Sequence, residues 1–132
     1  TMLADEVDKT ISYSVGGRGN GGAGGPDSTN GGTSTLTYNG RTITAGGGAR
    51  GASSNESAGG LASGGDMNIA GGSAGRTGNN YFTFGGASYW GGGRTNNAQG
   101  VAYGAGGASM SDSLNQVGIN GNAGVLVIKE YL

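Results

Sequence analysis

A quarter of this chain has no side chain: glycine fills 34 of its 132 positions, against a usual share of about 7%. Glycine loses more conformational freedom on folding than any other residue and brings no apolar surface in return. Apolar residues make up 33% and charged residues 11% of the chain, too little for an ordinary side-chain core. Aperiodic glycine-plus-serine richness is the composition of a flexible linker. If such a chain is ordered, its peptide groups must hold it, because glycine offers nothing else.

The glycine clusters fall at 46–51, 59–65, 71–78, 85–93 and 104–107, separated by the dissimilar inserts 52–58, 66–70, 79–84, 94–99 and 108–117. The irregular spacing rules out a fixed-period solenoid. Collagen needs glycine at every third place with abundant proline, and Pro26 is the only proline. The pattern fits a stack of short extended glycine segments joined by turns. Without Cβ atoms, left-handed extended segments approach closely, and N–H···O bonds with weaker Cα–H···O contacts link them laterally. Each turn carries an insert, and alternate turns emerge at the same end.

Strand signals frame this stack. Ile11-Ser12-Tyr13-Ser14-Val15 alternates with period two, which puts Ile11, Tyr13 and Val15 on one half-buried face. Asn39-Gly40 between two alternating runs reads as a two-residue type I′ hairpin. That turn sets the register: Tyr38 opposes Arg41 and Leu36 opposes Ile43, while Thr37–Thr42 and Thr35–Thr44 pair on the other face. Val125-Leu126-Val127-Ile128 reads as a strand buried on both faces, pairing with 11–15 or with the hairpin. The expected fold is therefore mostly irregular or all-β. It is a stack of extended polyglycine-II-type helices with a small β layer from 11–15, 33–38, 41–45 and 125–131, and little or no α-helix. Residues 1–10 hold no glycine and four of the fifteen charges, with Leu3 and Val7 four apart. They read as a connector to an upstream part, and 11–132 as one domain.

Composition also narrows the chemistry. Net charge is −1 and the seven basic residues are scattered, which argues against a nucleic-acid surface. No apolar run approaches the roughly 20 residues that span a bilayer. Histidine and cysteine are absent, so the commonest metal ligands and nucleophile–base pairs are missing. Asp27, Glu56, Asp66 and Asp112 lie in separate polar inserts, where carboxylates are normally solvated rather than paired for glycoside hydrolysis. Gly17-x-Gly19-x-x-Gly22 follows a strand but precedes Pro26 instead of a helix, so it fails as a dinucleotide fingerprint. No cofactor, metal or catalytic residue is expected.

The ordered set Ile11-Ser-Tyr-Ser-Val-Gly-Gly-Arg-Gly-Asn-Gly-Gly22, Asn30-Gly-Gly-Thr-Ser-Thr-Leu36, Ile43-Thr-Ala-Gly-Gly-Gly48, Tyr103-Gly-Ala-Gly-Gly107 and Asn120-Gly-Asn-Ala-Gly-Val-Leu-Val-Ile-Lys-Glu-Tyr131 resembles the glycine-rich domain at the distal end of tailed-bacteriophage tail fibres and adhesins. The resemblance covers about residues 10–132. It implies a packed core of polyglycine-type helices with variable loops at the tip that recognise the bacterial surface. It also implies a virion location, upstream fibre segments, a homotrimeric fibre, and a surface glycan or outer-membrane protein as receptor. Some tail proteins of this kind degrade polysaccharide. An ice-binding or purely structural glycine-helix protein is the reading from another class; it needs a flat, regular array of small residues such as Thr and Ala.

Six of the nine aromatic residues lie between 81 and 103, among amide and guanidinium side chains. Aromatic faces supply stacking area and amides fix orientation, a combination suited to saccharide or exposed protein loops. The expected receptor-binding residues are Asn80, Tyr81, Tyr89, Trp90, Arg94, Asn96, Asn97 and Tyr103. Phe82 and Phe84, at period two, fit a hydrophobic mini-core equally well, and Tyr13, Tyr38 and Tyr131 belong to strands.

Overall fold

A computed structural model of the chain describes residues 10–22, 28–50, 56–77, 82–95, 98–108 and 118–129. Among these residues there is no helix. A four-stranded antiparallel sheet runs in the order β1 (Ser12–Ser14), β2 (Ser34–Tyr38), β3 (Arg41–Ala45) and β4 (Ala62–Ser63), and β5 (Gly75–Thr77) pairs with β6 (Phe82–Phe84). The β2–β3 hairpin has the expected register, from Tyr38 opposite Arg41 to Ser34 opposite Ala45. Its turn residues sit at positive φ, Asn39 at 46° and Gly40 at 77°, as type I′ geometry requires. Leu36 and Tyr38 are only 7% and 5% exposed and form the apolar core of the sheet.

Every ladder carries its register unbroken into the glycine segments beyond it. The β1–β2 pairing continues as Gly32 N to Gly17 O (2.9 Å) and Thr29 N to Asn20 O (3.1 Å). The β2–β3 pairing continues as Gly31 N to Gly48 O, and β3–β4 as Gly46 N to Leu61 O and Ala49 N to Ala58 O. The β5–β6 pairing continues as Gly72 N to Ala87 O. Bonds then recur every third residue: Gly118, Gly121 and Gly124 donate in turn to Gly22, Gly19 and Gly16 at 2.9, 3.1 and 3.0 Å. A β-ladder repeats every second residue; this spacing is three.

Taken in order, the segments 16–22, 28–33, 46–50, 56–61, 69–74, 85–88, 104–108 and 118–124 each bond to the next, and the last bonds back to the first. The ring is closed and its registers agree. Carried round it, residues 16, 33, 46, 61, 70, 89, 103 and 124 fall at one level, and 20, 29, 50, 57, 74, 85, 107 and 120 at another. Segments 91–95 and 98–101 attach outside, against 85–88 and 104–108. Strands β1 to β4 are the axial continuation of the first four ring segments, so the sheet stands on one end of the ring.

Two expectations need correction. Residues 125–129 are not a strand: no ladder bonds join them to the sheet, Val125 and Leu126 are half-buried, and Val127 and Ile128 are 52% and 58% exposed. A strand buried on both faces needs a layer over each, and no described element covers this edge. The face of Ile11, Tyr13 and Val15 is likewise less covered than expected, with Tyr13 64% exposed, because β1 is an edge strand. Tyr131 and residues 1–9 lie outside the described residues. Strands β4 to β6 were not anticipated, although Phe82-Thr83-Phe84 alternates with period two.

Close approach of the ring segments depends on missing Cβ atoms. A Cβ on Gly60 would collide with the Gly46 carbonyl, one on Gly85 with that of Gly106, and one on Gly93 with that of Gly85, whereas one on Gly17 meets nothing within 4 Å. Gly60→Ala should lower stability by about 3 kcal/mol, as overpacking against rigid backbone does. Gly17→Ala should be neutral or stabilise by roughly 0.4–1 kcal/mol through the unfolded chain. Denaturant unfolding of both variants checks this, and equal effects would contradict the ring geometry.

Candidate functional site

The antiparallel registers give the ring two ends with different chemistry. The sheet end carries β1 to β4 and the turns around Asp66, Tyr89 and Tyr103. At the opposite end lie residues 22, 28, 50, 56, 77, 82, 95, 98, 108 and 118. Consecutive turns therefore alternate between the ends.

Tyr89 and Trp90 form a two-residue turn. Ser88 N donates to Gly91 O (2.9 Å), Gly91 N donates to Ser88 O (3.3 Å), and Trp90 N donates to Ser88 Oγ (3.2 Å). The two rings meet edge to face, centroids 5.3 Å apart at 90°, the arrangement their quadrupoles favour. They are 74% and 52% exposed. Tyr103 occupies the neighbouring turn, closed by Ala105 N to Ala102 O (3.0 Å), with Gly104 at φ 71°. A Cβ on Gly104 would lie 3.5 Å from Ser88 Cβ, so the two turns are side by side.

Arg94 does not join them. Its carbonyl accepts from Gly85 N (2.8 Å), which places it at the insert end with its side chain exposed. Asn80, Tyr81, Asn96 and Asn97 lie outside the described residues, but the positions that flank them, Thr77, Phe82, Thr95 and Ala98, are at the insert end too. The expected receptor-binding residues are thus divided: Tyr89, Trp90 and Tyr103 cluster at the sheet end, and Arg94 is at the other. Phe84 is 36% exposed, and its ring contacts the position where a Gly75 Cβ would be, so it packs on β5.

Polar side chains fix the insert end. Asn120 Oδ1 accepts from Gly21 N (2.7 Å), Asn30 Oδ1 accepts from Arg50 N (2.8 Å), and the buried Ser57 Oγ donates to Arg50 O (2.8 Å). Each ties a residue flanking one interval to a different ring segment. Composition gave no sign of these caps, because a lone Asn in a glycine tract looks like any turn residue.

The sheet's outer face holds a second pattern. Ser12, Thr37 and Thr42 make one row of hydroxyls across the strands; Ser14, Thr35, Thr44 and Ser63 make another. Neighbours bond at 2.8 Å (Ser14–Thr35), 3.1 Å (Thr37–Thr42) and 2.7 Å (Thr44–Ser63). The repeated hydroxyl-x-hydroxyl spacing of three strands was visible in the sequence; that a fourth strand extends the array was not.

A cavity of about 420 Å³ is lined by residues of all eight segments and by none of the described residues 91–95 and 98–101. Among the described residues, Arg50 is the only charged one that lines it. Glu56 and Asp66, the two described carboxylates, lie at opposite ends, and Asp66 pairs with Arg41 at 2.8 Å. No described His, Cys, Asp or Glu residues form a group able to hold a metal ion. No described helix is long and apolar enough to cross a membrane.

Asn120→Ala removes the acceptor from the part-buried Gly21 N–H. The expected loss is about 1–3 kcal/mol, measured by thermal unfolding, with faster amide exchange at Gly21 and Gly22 than in β2 and β3. Uniform loosening would show that the cap does not act locally.

Comparison with known protein families, curated proteins and solved structures returns no match to this chain.

Proposed function

We propose that this chain is a non-catalytic receptor-binding tip domain of a bacteriophage tail fibre, built on polyglycine-II-type helices. The three-residue recurrence of the inter-segment bonds supports the helical part of this reading, since a threefold left-handed helix aims every third peptide group at the same neighbour. The functional part rests on one observation: the residues flanking the glycine-poor inserts 52–58, 79–84, 94–99 and 108–117 fall at one end of the ring. A scaffold held by backbone hydrogen bonds presents those connections from fixed positions. Groups presented from a fixed frame lose less conformational freedom on binding than groups on a mobile one.

The partner in this reading is a bacterial surface glycan or outer-membrane protein, met outside the cell by the virion. The insert end faces it. Arg94 and the neighbouring Asn80, Tyr81, Asn96 and Asn97 supply hydrogen bonding and stacking. In this reading the sheet end faces the fibre, whose segments are homotrimeric. Tyr89, Trp90 and Tyr103 then belong to the fibre-facing side.

A second reading, ice binding, draws support from the two hydroxyl rows on the sheet. Their pitch follows the roughly 4.8 Å strand separation, and the array is made of small residues. Thermal hysteresis of the purified chain at millimolar concentration tests it, and its absence discards it.

Adsorption tests the first reading. Replacing 78–81 or 96–97 with Gly-Ser of equal length should weaken binding of the domain to host cells at least about tenfold, a typical loss for interface residues. Tyr89→Ala and Trp90→Ala should leave it within about twofold. Unchanged adsorption after both insert replacements overturns the assignment of the insert end.

A further inference from the structure

Four asparagines in this chain directly precede glycine: Asn20, Asn30, Asn39 and Asn120. The pairing matters chemically. A peptide nitrogen can attack the side-chain amide carbon of the residue before it, and glycine, with no Cβ, leaves that approach unhindered. All four pairs lie among the described residues, and the fold treats them unequally.

Three of the attacking nitrogens are held by hydrogen bonds that build the ring. Gly21 N donates to Asn120 Oδ1 (2.7 Å), Gly31 N to Gly48 O (3.0 Å) and Gly121 N to Gly19 O (3.1 Å). Attack requires each N–H to leave its acceptor and the segment to rotate out of register. Two of the side-chain amides are held as well. Asn30 Oδ1 accepts from Arg50 N (2.8 Å), and the bond from Gly21 N to Asn120 Oδ1 restrains the Asn20 and Asn120 pairs together.

The fourth pair is placed differently. Asn39 and Gly40 are the central residues of the β2–β3 turn, both exposed, at φ 46° and 77°. A two-residue hairpin is closed by the residues that flank it, here Tyr38 and Arg41. The Asn39–Gly40 peptide therefore lies outside the ladder, and no ladder bond has to break for Gly40 N to reach Asn39 Cγ.

We propose that Asn39 is a site of spontaneous deamidation, and that the hydrogen bonds of the ring keep Asn20, Asn30 and Asn120 intact. The reaction consumes only water. Gly40 N gives up its proton and bonds to Asn39 Cγ; the bond from Cγ to Nδ2 breaks, and that nitrogen leaves as ammonia with the proton. Water then opens the cyclic imide at either carbonyl, giving aspartate or isoaspartate. Each event adds one negative charge to the net −1 of the chain. The isoaspartate product also routes the main chain through the side-chain methylene, which lengthens the turn that sets the β2–β3 register. Because the attacking nitrogen must lose a proton, the rate rises with pH.

Peptide mapping by mass spectrometry tests this on the 132-residue chain, held in mildly alkaline buffer with and without guanidinium chloride. In the folded chain Asn39 should convert at least about tenfold faster than the other three, which react only through local opening. In denaturant all four should convert within about fivefold of one another, since the unfolded ensemble holds none of these bonds persistently. Asn39→Gln should remove the main acidic species that isoelectric focusing resolves from the aged, folded chain. Asn120→Ala releases Gly21 N and should speed conversion of Asn20 several-fold, leaving the Asn39 rate unchanged. Equal conversion of all four in the folded chain overturns the proposal, as does an Asn39 that stays intact there. A tenfold lead for Asn39 that persists in denaturant overturns it too, because sequence neighbours rather than the ring would then set the selectivity. No receptor enters these measurements, so the reading of the insert end stands or falls separately.

Discussion

Everything in this protein depends on one interaction: a peptide N–H reaching a peptide carbonyl on a neighbouring segment with no Cβ between them. Individually such a bond contributes only about 1 kcal/mol net. What makes it decisive is the steric condition attached to it. Positions such as Gly21, Gly59, Gly60 and Gly93 face carbonyl oxygens of the adjacent segment so closely that any side chain would separate the pair. Backbone entropy lost at glycine is large, so the ring forms only if many of these contacts close together. The agreement of register round all eight segments is what allows that.

A scaffold made of peptide groups changes what side chains are for. In an ordinary domain most apolar side chains are consumed by the core. Here the described apolar core is small: Leu36, Tyr38, Ala105 and Ala108. The remaining large apolar residues are free to serve a surface, and they gather at the sheet end. The polar residues that do enter the frame, Asn30, Asn120 and Ser57, act as caps where ring segments turn outward. The two ends differ because the frame makes few demands on either.

Some of this was legible in the sequence, and the boundary is physical. The Asn39-Gly40 turn fixed the β2–β3 register because turn geometry and period-two alternation are local properties. Short extended glycine segments were legible because nothing else suits such a composition. Order round the ring was not, since glycines carry no pattern that says which neighbour each will meet. The strand expected at 125–131 failed because four apolar residues announce a wish for burial, not its fulfilment; at this edge no described layer covers them. The grouping of Trp90 with Arg94 failed for a similar reason. They are four residues apart in sequence, but the segment between them runs from one end of the ring to the other.

That last separation has a consequence for how such a domain can vary. Each ring segment takes its register from the segments on either side, and the sheet pins the first four at one end. Length or composition changes in 51–55, 78–81 or 109–117 therefore alter a connection without altering the bonds that define its two anchor points. A single added methyl group at a close-contact glycine such as Gly60 collides with the backbone of the neighbouring segment. Tolerance in the inserts and intolerance in the glycines follow from the same hydrogen bonds, and that division lets one end of the molecule diversify while the other keeps its shape.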